Sequence, residues 1–65
     1  MTKRGDNMYL KDLREKAGYT QQELADKAGI SRTTISMIEQ GENQPSVKLA
    51  KKFGEIFNVG WEKFF

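Results

Sequence analysis

Two helix-start signals on either side of a glycine constrain this chain more than any other feature. Thr20 opens a Thr-Gln-Gln-Glu capping box, in which the Thr20 hydroxyl accepts from the Glu23 amide and the Glu23 carboxylate accepts from the Thr20 amide. Ser31 is a second N-cap residue, and Gly29 between the two signals supplies the positive φ that a tight turn needs. The spacing predicts two helices of about eight residues, joined by a turn of about three residues.

The segment before the capping box predicts another helix, from about Asn7 to Ala17. Leu10, Leu13 and Ala17 recur at helical spacing and define its inner face. Gly18 follows the last of them and can end the helix in the left-handed conformation.

The segment after Ser31 predicts a loop and two more helices. Gly41 ends the third helix, and residues 42–45 form a polar loop. Ser46 caps a fourth helix, for which Asn58 is the C-terminal cap. The aromatic stretch at residues 61–65 is predicted to form a last turn of helix. Without the alternating pattern of a strand, the chain is predicted to be all-α, with five short helices.

The length of 65 residues allows one small domain. We expect a flexible N-terminal arm at residues 1–6 and one folded domain at residues 7–65. The longest uninterrupted apolar run, Met8–Leu10, is too short to cross a membrane or to form a signal-peptide core. A chain without cysteine fits the reducing cytoplasm, where we expect the protein to act.

The sequence contains no cysteine and no histidine. It therefore lacks the thiolate and imidazole groups that hold zinc, haem or iron–sulfur clusters, and it lacks cysteine nucleophiles and histidine bases. No pair of carboxylates suggests an acid–base site, since Glu23 and Glu39 have structural interpretations. We therefore expect no metal, no cofactor and no enzymatic activity.

The stretch LREKAGYTQQELADKAGISRTTISMIEQGENQPS resembles the Cro/C1-type (XRE) helix-turn-helix family of phage repressors and bacterial regulators, and the resemblance extends from about Met8 to Phe65. It implies a compact five-helix bundle of the lambda-repressor-like type, with the helix-turn-helix formed by helices 2 and 3. It further implies sequence-specific binding of double-stranded operator DNA, usually by a homodimer on two related half-sites. The expected function is repressor-like regulation of transcription, in the nucleoid or in a phage-infected cell.

The resemblance also assigns the DNA-contacting residues. The third helix at residues 31–40 is expected to enter the major groove, which is wide enough for one α-helix. Its expected base-reading residues are Arg32, Thr33, Ser36 and Met37. Expected phosphate contacts are Thr20, Gln21, Gln22, Ser31, Gln40 and Asn43. Arg14 and Glu39 match a partly buried ion pair that connects the first helix to the third.

Several of these residues also have simpler interpretations. Ser31 is an N-cap whether or not it contacts DNA, and Gln22 can be a solvent-facing helix former. Met37 can be an isolated exposed apolar residue, or it can contact a thymine methyl group. At the C-terminal end, at least two of the three aromatic residues should close the core, and the remainder are candidate dimer contacts. These residues are Trp61, Phe64 and Phe65.

Net charge does not identify the DNA-reading segment. The chain carries +2 overall, but residues 20–45 carry two positive and four negative side chains, and only the flanking segments are basic. A function of another class stays open, in which the apolar C-terminal end would matter most: a protein-interaction module, such as an antitoxin-like or anti-repressor-binding partner. A protein inactivator is also compatible with a DNA-binding role.

Overall fold

A computed structural model describes residues 8–65 of the chain as a bundle of short helices. The elements are α1 (Met8–Ala17), α2 (Gln21–Ala28), α3 (Arg32–Glu39), α4 (Val47–Phe57) and a 3₁₀ turn (Trp61–Phe64). No strand occurs within this part of the chain. The expected flexible arm at residues 1–6, and the expected helix start at Asn7, lie outside the described residues.

The capping box at the start of α2 is confirmed. The Thr20 Oγ1 atom accepts from the Glu23 amide at 3.0 Å, and the Thr20 amide donates to Glu23 Oε1 at 2.8 Å. Gly29 ends the helix with φ of 75°, and its amide donates to carbonyls of the last turn. The Ile30 amide then donates to the Ala25 carbonyl at 3.0 Å. These bonds satisfy backbone groups that a helix end leaves open, and they fix the turn into α3.

The other predicted N-caps are confirmed as well. Ser31 Oγ accepts from the Thr34 amide at 3.2 Å, and Ser46 Oγ accepts from the Leu49 amide at 3.1 Å. Asn58 ends α4 in the left-handed conformation with φ of 58°. Each side-chain cap of this kind stabilises a helix by about 1 kcal/mol.

The prediction of a fifth α-helix is wrong. Residues 61–64 form a single 3₁₀ turn instead, in which the Lys63 amide donates to the Gly60 carbonyl at 3.2 Å. Gly60 precedes this turn and makes no side-chain capping bond. The tighter three-residue bond pattern is typical of such short helical pieces.

The hydrophobic core lies where α2, α3 and α4 meet beneath α1. Helix α2 packs against both α3 and α4, and α1 contacts α3 and the 3₁₀ turn. Side chains that are fully shielded from solvent come from every α-helix: Leu10, Leu24, Ala25, Ile35, Ala50 and Phe53. Pro45, the last residue of the predicted polar loop, is also buried. This core holds α3 from one side and leaves its other side open.

A close backbone contact brings the C-terminal end back onto α4. A Cβ atom added to Gly54 would lie 2.7 Å from the Val59 carbonyl oxygen, so only glycine fits there without a shift. The Val59 amide donates to the Gly54 carbonyl at 3.0 Å. Among residues 8–65, no helix is long and apolar enough to cross a membrane.

Candidate nucleic-acid interface

Helix α3 has one buried face and one open face. Ile35, Ile38 and Glu39 are buried, and they anchor the helix to the rest of the bundle. The four residues expected to read bases lie on the other side, where 3.6-residue periodicity groups positions 32, 33, 36 and 37. Arg32 and Thr33 are exposed, whereas Ser36 and Met37 are half-buried. The structure thus brings these four residues together on one polar surface with a single charged group, Arg32.

A buried ion pair connects this helix to α1. Arg14 Nε donates to Glu39 Oε2 at 2.7 Å, and Arg14 Nη2 donates to Glu39 Oε1 at 3.2 Å. The two residues are only 9% and 7% exposed. The hydrogen bond to Glu39 raises the pKa of Arg14 above its ordinary value against the opposing effect of burial, and the charges of Glu39 and Glu15 add to the increase. Arg14 Nη1 also donates to the Tyr19 carbonyl at 2.9 Å.

The same carboxylate continues a chain of bonds to the open face of α3. Gln21 Nε2 donates to Glu39 Oε1 at 3.0 Å, and Arg32 Nη1 donates to Gln21 Oε1 at 3.4 Å. Gln21 therefore stands between the ion pair and the exposed guanidinium. Its partners are 18 and 11 residues away along the chain, so no local sequence signal could have identified them.

The other residues expected to contact phosphate all make bonds within the chain. The Thr20 and Ser31 hydroxyls accept capping bonds. Gln22 Nε2 donates to Asp26 Oδ1 at 2.9 Å. Ser31 Oγ lies 2.9 Å from Thr34 Oγ1, which makes Thr34 a further polar residue at this end of α3 that the sequence did not single out.

Two bonds connect the end of α3 and the following loop to the expected base-reading residues. Gln40 Nε2 donates to Ser36 Oγ at 3.1 Å, and Asn43 Nδ2 lies 3.9 Å from Met37 Sδ. The loop is held in this position because the amides of Glu42 and Asn43 donate to the Met37 carbonyl at 2.9 and 3.3 Å. The amide side chains at positions 40 and 43 therefore touch the readers themselves.

The aromatic residues of the C-terminal end separate into buried and exposed groups. Phe64 is 4% exposed and packs against Tyr9 and Phe53, with ring centroids 5.4 and 5.6 Å apart. Phe64 was also expected as a candidate dimer contact, and this assignment is corrected, because its side chain is buried in the core and cannot contact a second copy. Trp61 is half-buried and meets the edge of Phe65 at 6.1 Å, while Phe65 is 57% exposed.

Two capped helices around a glycine of positive φ, with a polar face exposed on the second helix, define a helix-turn-helix DNA-binding domain. Comparison with known proteins agrees. Residues 10–64 match the helix-turn-helix family HTH_3. The chain therefore belongs to this family of DNA-binding transcriptional regulators.

Individual relatives cover most of the chain. It is 43% identical over 56 residues to an uncharacterized HTH-type transcriptional regulator of Archaeoglobus fulgidus, covering 86% of this chain and 80% of the relative. It is 44% identical over 57 residues to the uncharacterized HTH-type transcriptional regulator YqaF of Bacillus subtilis, covering 88% of this chain and 75% of the relative. The fold resembles that of the restriction-modification controller protein C.AhdI from Aeromonas hydrophila, with a TM-score of 0.81, 24% identity and coverage of 91% and 89%.

Proposed function

We propose that this regulator binds operator DNA as a homodimer, with α3 of each protomer in the major groove, and that it acts as a repressor. The observation that carries the proposal is the open polar face of α3, opposite a face fixed by the core and by the Arg14–Glu39 pair. A rigid helix with an exposed polar face is what direct reading of base edges requires. Its place of action would be the DNA of a prokaryotic nucleoid or of an infecting phage.

The four readers offer complementary chemistry toward base edges. The Arg32 guanidinium can donate two parallel hydrogen bonds to O6 and N7 of guanine. Thr33 and Ser36 offer hydroxyl groups, and the Met37 side chain offers an apolar contact for a thymine methyl group. Arg32 Nη1 lies 3.4 Å from Gln21 Oε1, which places the guanidinium beside the starts of both α2 and α3.

Phosphate attraction would come from the N-terminal ends of α2 and α3 and from residues beside them. Thr20 accepts its capping bond through its oxygen, so its hydroxyl keeps a hydrogen that can be directed to phosphate, and the Ser31–Thr34 hydroxyl pair has one hydrogen beyond the one shared between the two oxygens. Backbone amides and the helix dipole at these ends favour an anion. The amide of Gln21 also has a second hydrogen beyond the one donated to Glu39.

The proposed dimer uses the aromatic surface that the core leaves open. Phe65 is 57% exposed and stacks edge-on against Trp61. A second copy would cover this surface, which suits a small domain with little apolar area of its own to bury. Two α3 helices about 34 Å apart would then face successive major grooves on one side of the DNA.

Selection from random duplex DNA tests this function. The expected product is a near-palindromic site with half-site centres about 10 base pairs apart, because a symmetric dimer presents two equal reading helices. Binding to that site should weaken steeply as salt increases, since each neutralised phosphate releases counterions. Recovery of no enriched sequence, or binding independent of salt, would contradict the proposal.

A further inference from the structure

The bonds made by Gln40 and Asn43 differ from the role that the family resemblance assigns to them. Both residues match positions expected to contact the DNA backbone. In the structure Gln40 Nε2 instead donates to Ser36 Oγ at 3.1 Å, and Asn43 Nδ2 lies 3.9 Å from Met37 Sδ. Each amide nitrogen is thus directed at an expected base reader.

The bond from Gln40 determines what the Ser36 hydroxyl has left to offer. A serine hydroxyl has one hydrogen and two acceptor lone pairs. Gln40 occupies one lone pair, and in the described part of the chain the Ser36 hydrogen has no acceptor of its own. A hydroxyl that accepts a hydrogen bond also becomes a stronger donor through polarisation.

We propose that Gln40 is a specificity-determining residue that makes Ser36 a hydrogen-bond donor toward DNA. As a donor, Ser36 favours the major-groove acceptors, which are N7 and O6 of guanine, N7 of adenine and O4 of thymine, and disfavours the amino group of cytosine. Gln40 acts through Ser36 and is therefore a positioning residue. The inference rests on the proposed function, because it requires α3 to lie in the major groove.

The neighbouring loop makes a second, weaker contact to an expected reader. Asn43 lies against the sulfur of Met37, and the amides of Glu42 and Asn43 fasten the loop to the Met37 carbonyl. The end of α3 and the loop after it thus form a layer behind two readers. A residue that acts only through a base reader would alter which base is preferred, whereas a phosphate contact alters the affinity for all sequences alike.

Replacement of Gln40 by Glu tests the inference by reversing the polarity of this bond. A carboxylate at position 40 accepts the Ser36 hydrogen, so Ser36 then presents only lone pairs to the DNA. The expected result is a shift at one base position per half-site toward cytosine, whose amino group is a major-groove donor, by about fivefold for a single hydrogen bond. Gln40→Met, which removes the bond without adding charge, should flatten the preference at that position.

Two controls isolate the effect. Gln44→Glu adds the same charge at an exposed position of the adjoining loop and should leave the base preference unchanged. In a Ser36→Ala background, Gln40→Glu should no longer move the preference, because the hydroxyl it acts on is absent. Sequence selection and binding isotherms at several salt concentrations measure all of these variants.

The inference is overturned if Gln40→Met weakens binding to all sequences equally and leaves the base preference unchanged, which is the behaviour of a lost phosphate contact. It is also overturned if Gln40→Glu and Gln44→Glu give the same preferences. Both results would leave the proposed function standing. Failure of the parent protein to select any sequence would instead overturn the proposed function, and this inference with it.

Discussion

The helix-turn-helix unit and the C-terminal end of the molecule are held in place by different forces. Residues 20–40 are fixed by helix caps, by a left-handed glycine and by a chain of polar bonds from Arg14 through Glu39 to Gln21. The C-terminal region also has a side-chain cap at Ser46 and a left-handed residue at Asn58, but its distinctive contacts are aromatic, with Phe53 against Phe64 at the centre, together with the close approach of Val59 to Gly54. Both regions are helical, yet only the first depends on side-chain hydrogen bonds across the bundle.

The difference matches what each region would do. Hydrogen bonds are directional, so a polar network fixes the rotation and position of α3, on which base reading depends. Aromatic packing is less directional and tolerates an open edge, which suits a surface that associates with another copy. The two regions should therefore respond differently to substitution.

The largest effect is expected from breaking the polar network. Arg14→Met leaves the Glu39 carboxylate buried without its partner, which should lower the free energy of unfolding by about 3–5 kcal/mol. A domain of this size has only a few kcal/mol in total, so DNA binding should be lost with the fold. Thermal and denaturant unfolding followed by circular dichroism measure the change.

The double variant Arg14→Met/Glu39→Met sharpens this test. It removes both buried charges, and replacing a whole buried pair by apolar side chains is often neutral or stabilising. We expect it to recover most of the lost stability. An unchanged melting temperature in Arg14→Met alone would show that the ion pair does not hold the two helices together.

A smaller loss of stability is expected when Gly54 or Gly29 is replaced, and its physical cause differs between the two positions. Gly54→Ala places a Cβ atom 2.7 Å from the Val59 carbonyl, and overpacking of this kind costs about 1–3 kcal/mol. Gly29→Ala meets no atom within 4 Å but keeps a φ of 75°, which costs about 1–2 kcal/mol.

Asparagine distinguishes the two causes. It tolerates the left-handed conformation, so Gly29→Asn should be more stable than Gly29→Ala. It also carries a Cβ atom, so Gly54→Asn should be no better than Gly54→Ala. Melting curves of the four variants would contradict this account if asparagine helped equally at both positions.

The smallest effect on folding is expected at Phe65, the exposed aromatic residue of the proposed dimer surface, where a separate effect on dimer formation is expected. Phe65→Ser should change the stability of the monomer by no more than about 0.5 kcal/mol, because the side chain is 57% exposed. It should weaken homodimer formation measured by sedimentation. Val47→Ser is the matched control, because Val47 is an apolar residue at the start of α4 that is 50% exposed and lies outside the proposed dimer surface. Equal association of both variants and the parent would contradict the assignment of this edge to the dimer.

Local features of the fold could be predicted from the sequence, because each is encoded within a few residues. The capping box at Thr20, the N-caps at Ser31 and Ser46, and the positive φ of Gly29 all follow from nearest-neighbour chemistry. The last helix could not be predicted in the same way. Its four residues form a 3₁₀ turn whose position is set by the packing of Phe64 on Tyr9 and Phe53, which are distant in the chain.

The sequence predicted which residues share the open face of α3, but it did not predict most of the hydrogen bonds that they and their neighbours make. Helical periodicity and the family resemblance grouped the expected readers on α3, but the Gln21–Glu39 bond and the contacts of Gln40 and Asn43 were not predicted. The Gln40–Ser36 bond spans only four residues, which is a spacing that a helix brings together. The Gln21–Glu39 bond joins residues from different helices, and the Asn43–Met37 contact depends on how the chain turns after α3. The last two contacts are set by tertiary geometry, which a single sequence does not specify.

Paired sequence selection with the parent protein and Arg32→Ala tests most directly whether the open face of α3 reads DNA. Arg32 is exposed, so the variant should melt at the same temperature as the parent. We expect it to lose the preference for one base pair in each half-site and to bind the parent operator about 1–3 kcal/mol more weakly. If Arg32→Ala selects the same operator and binds it as tightly as the parent, α3 does not read DNA through this face.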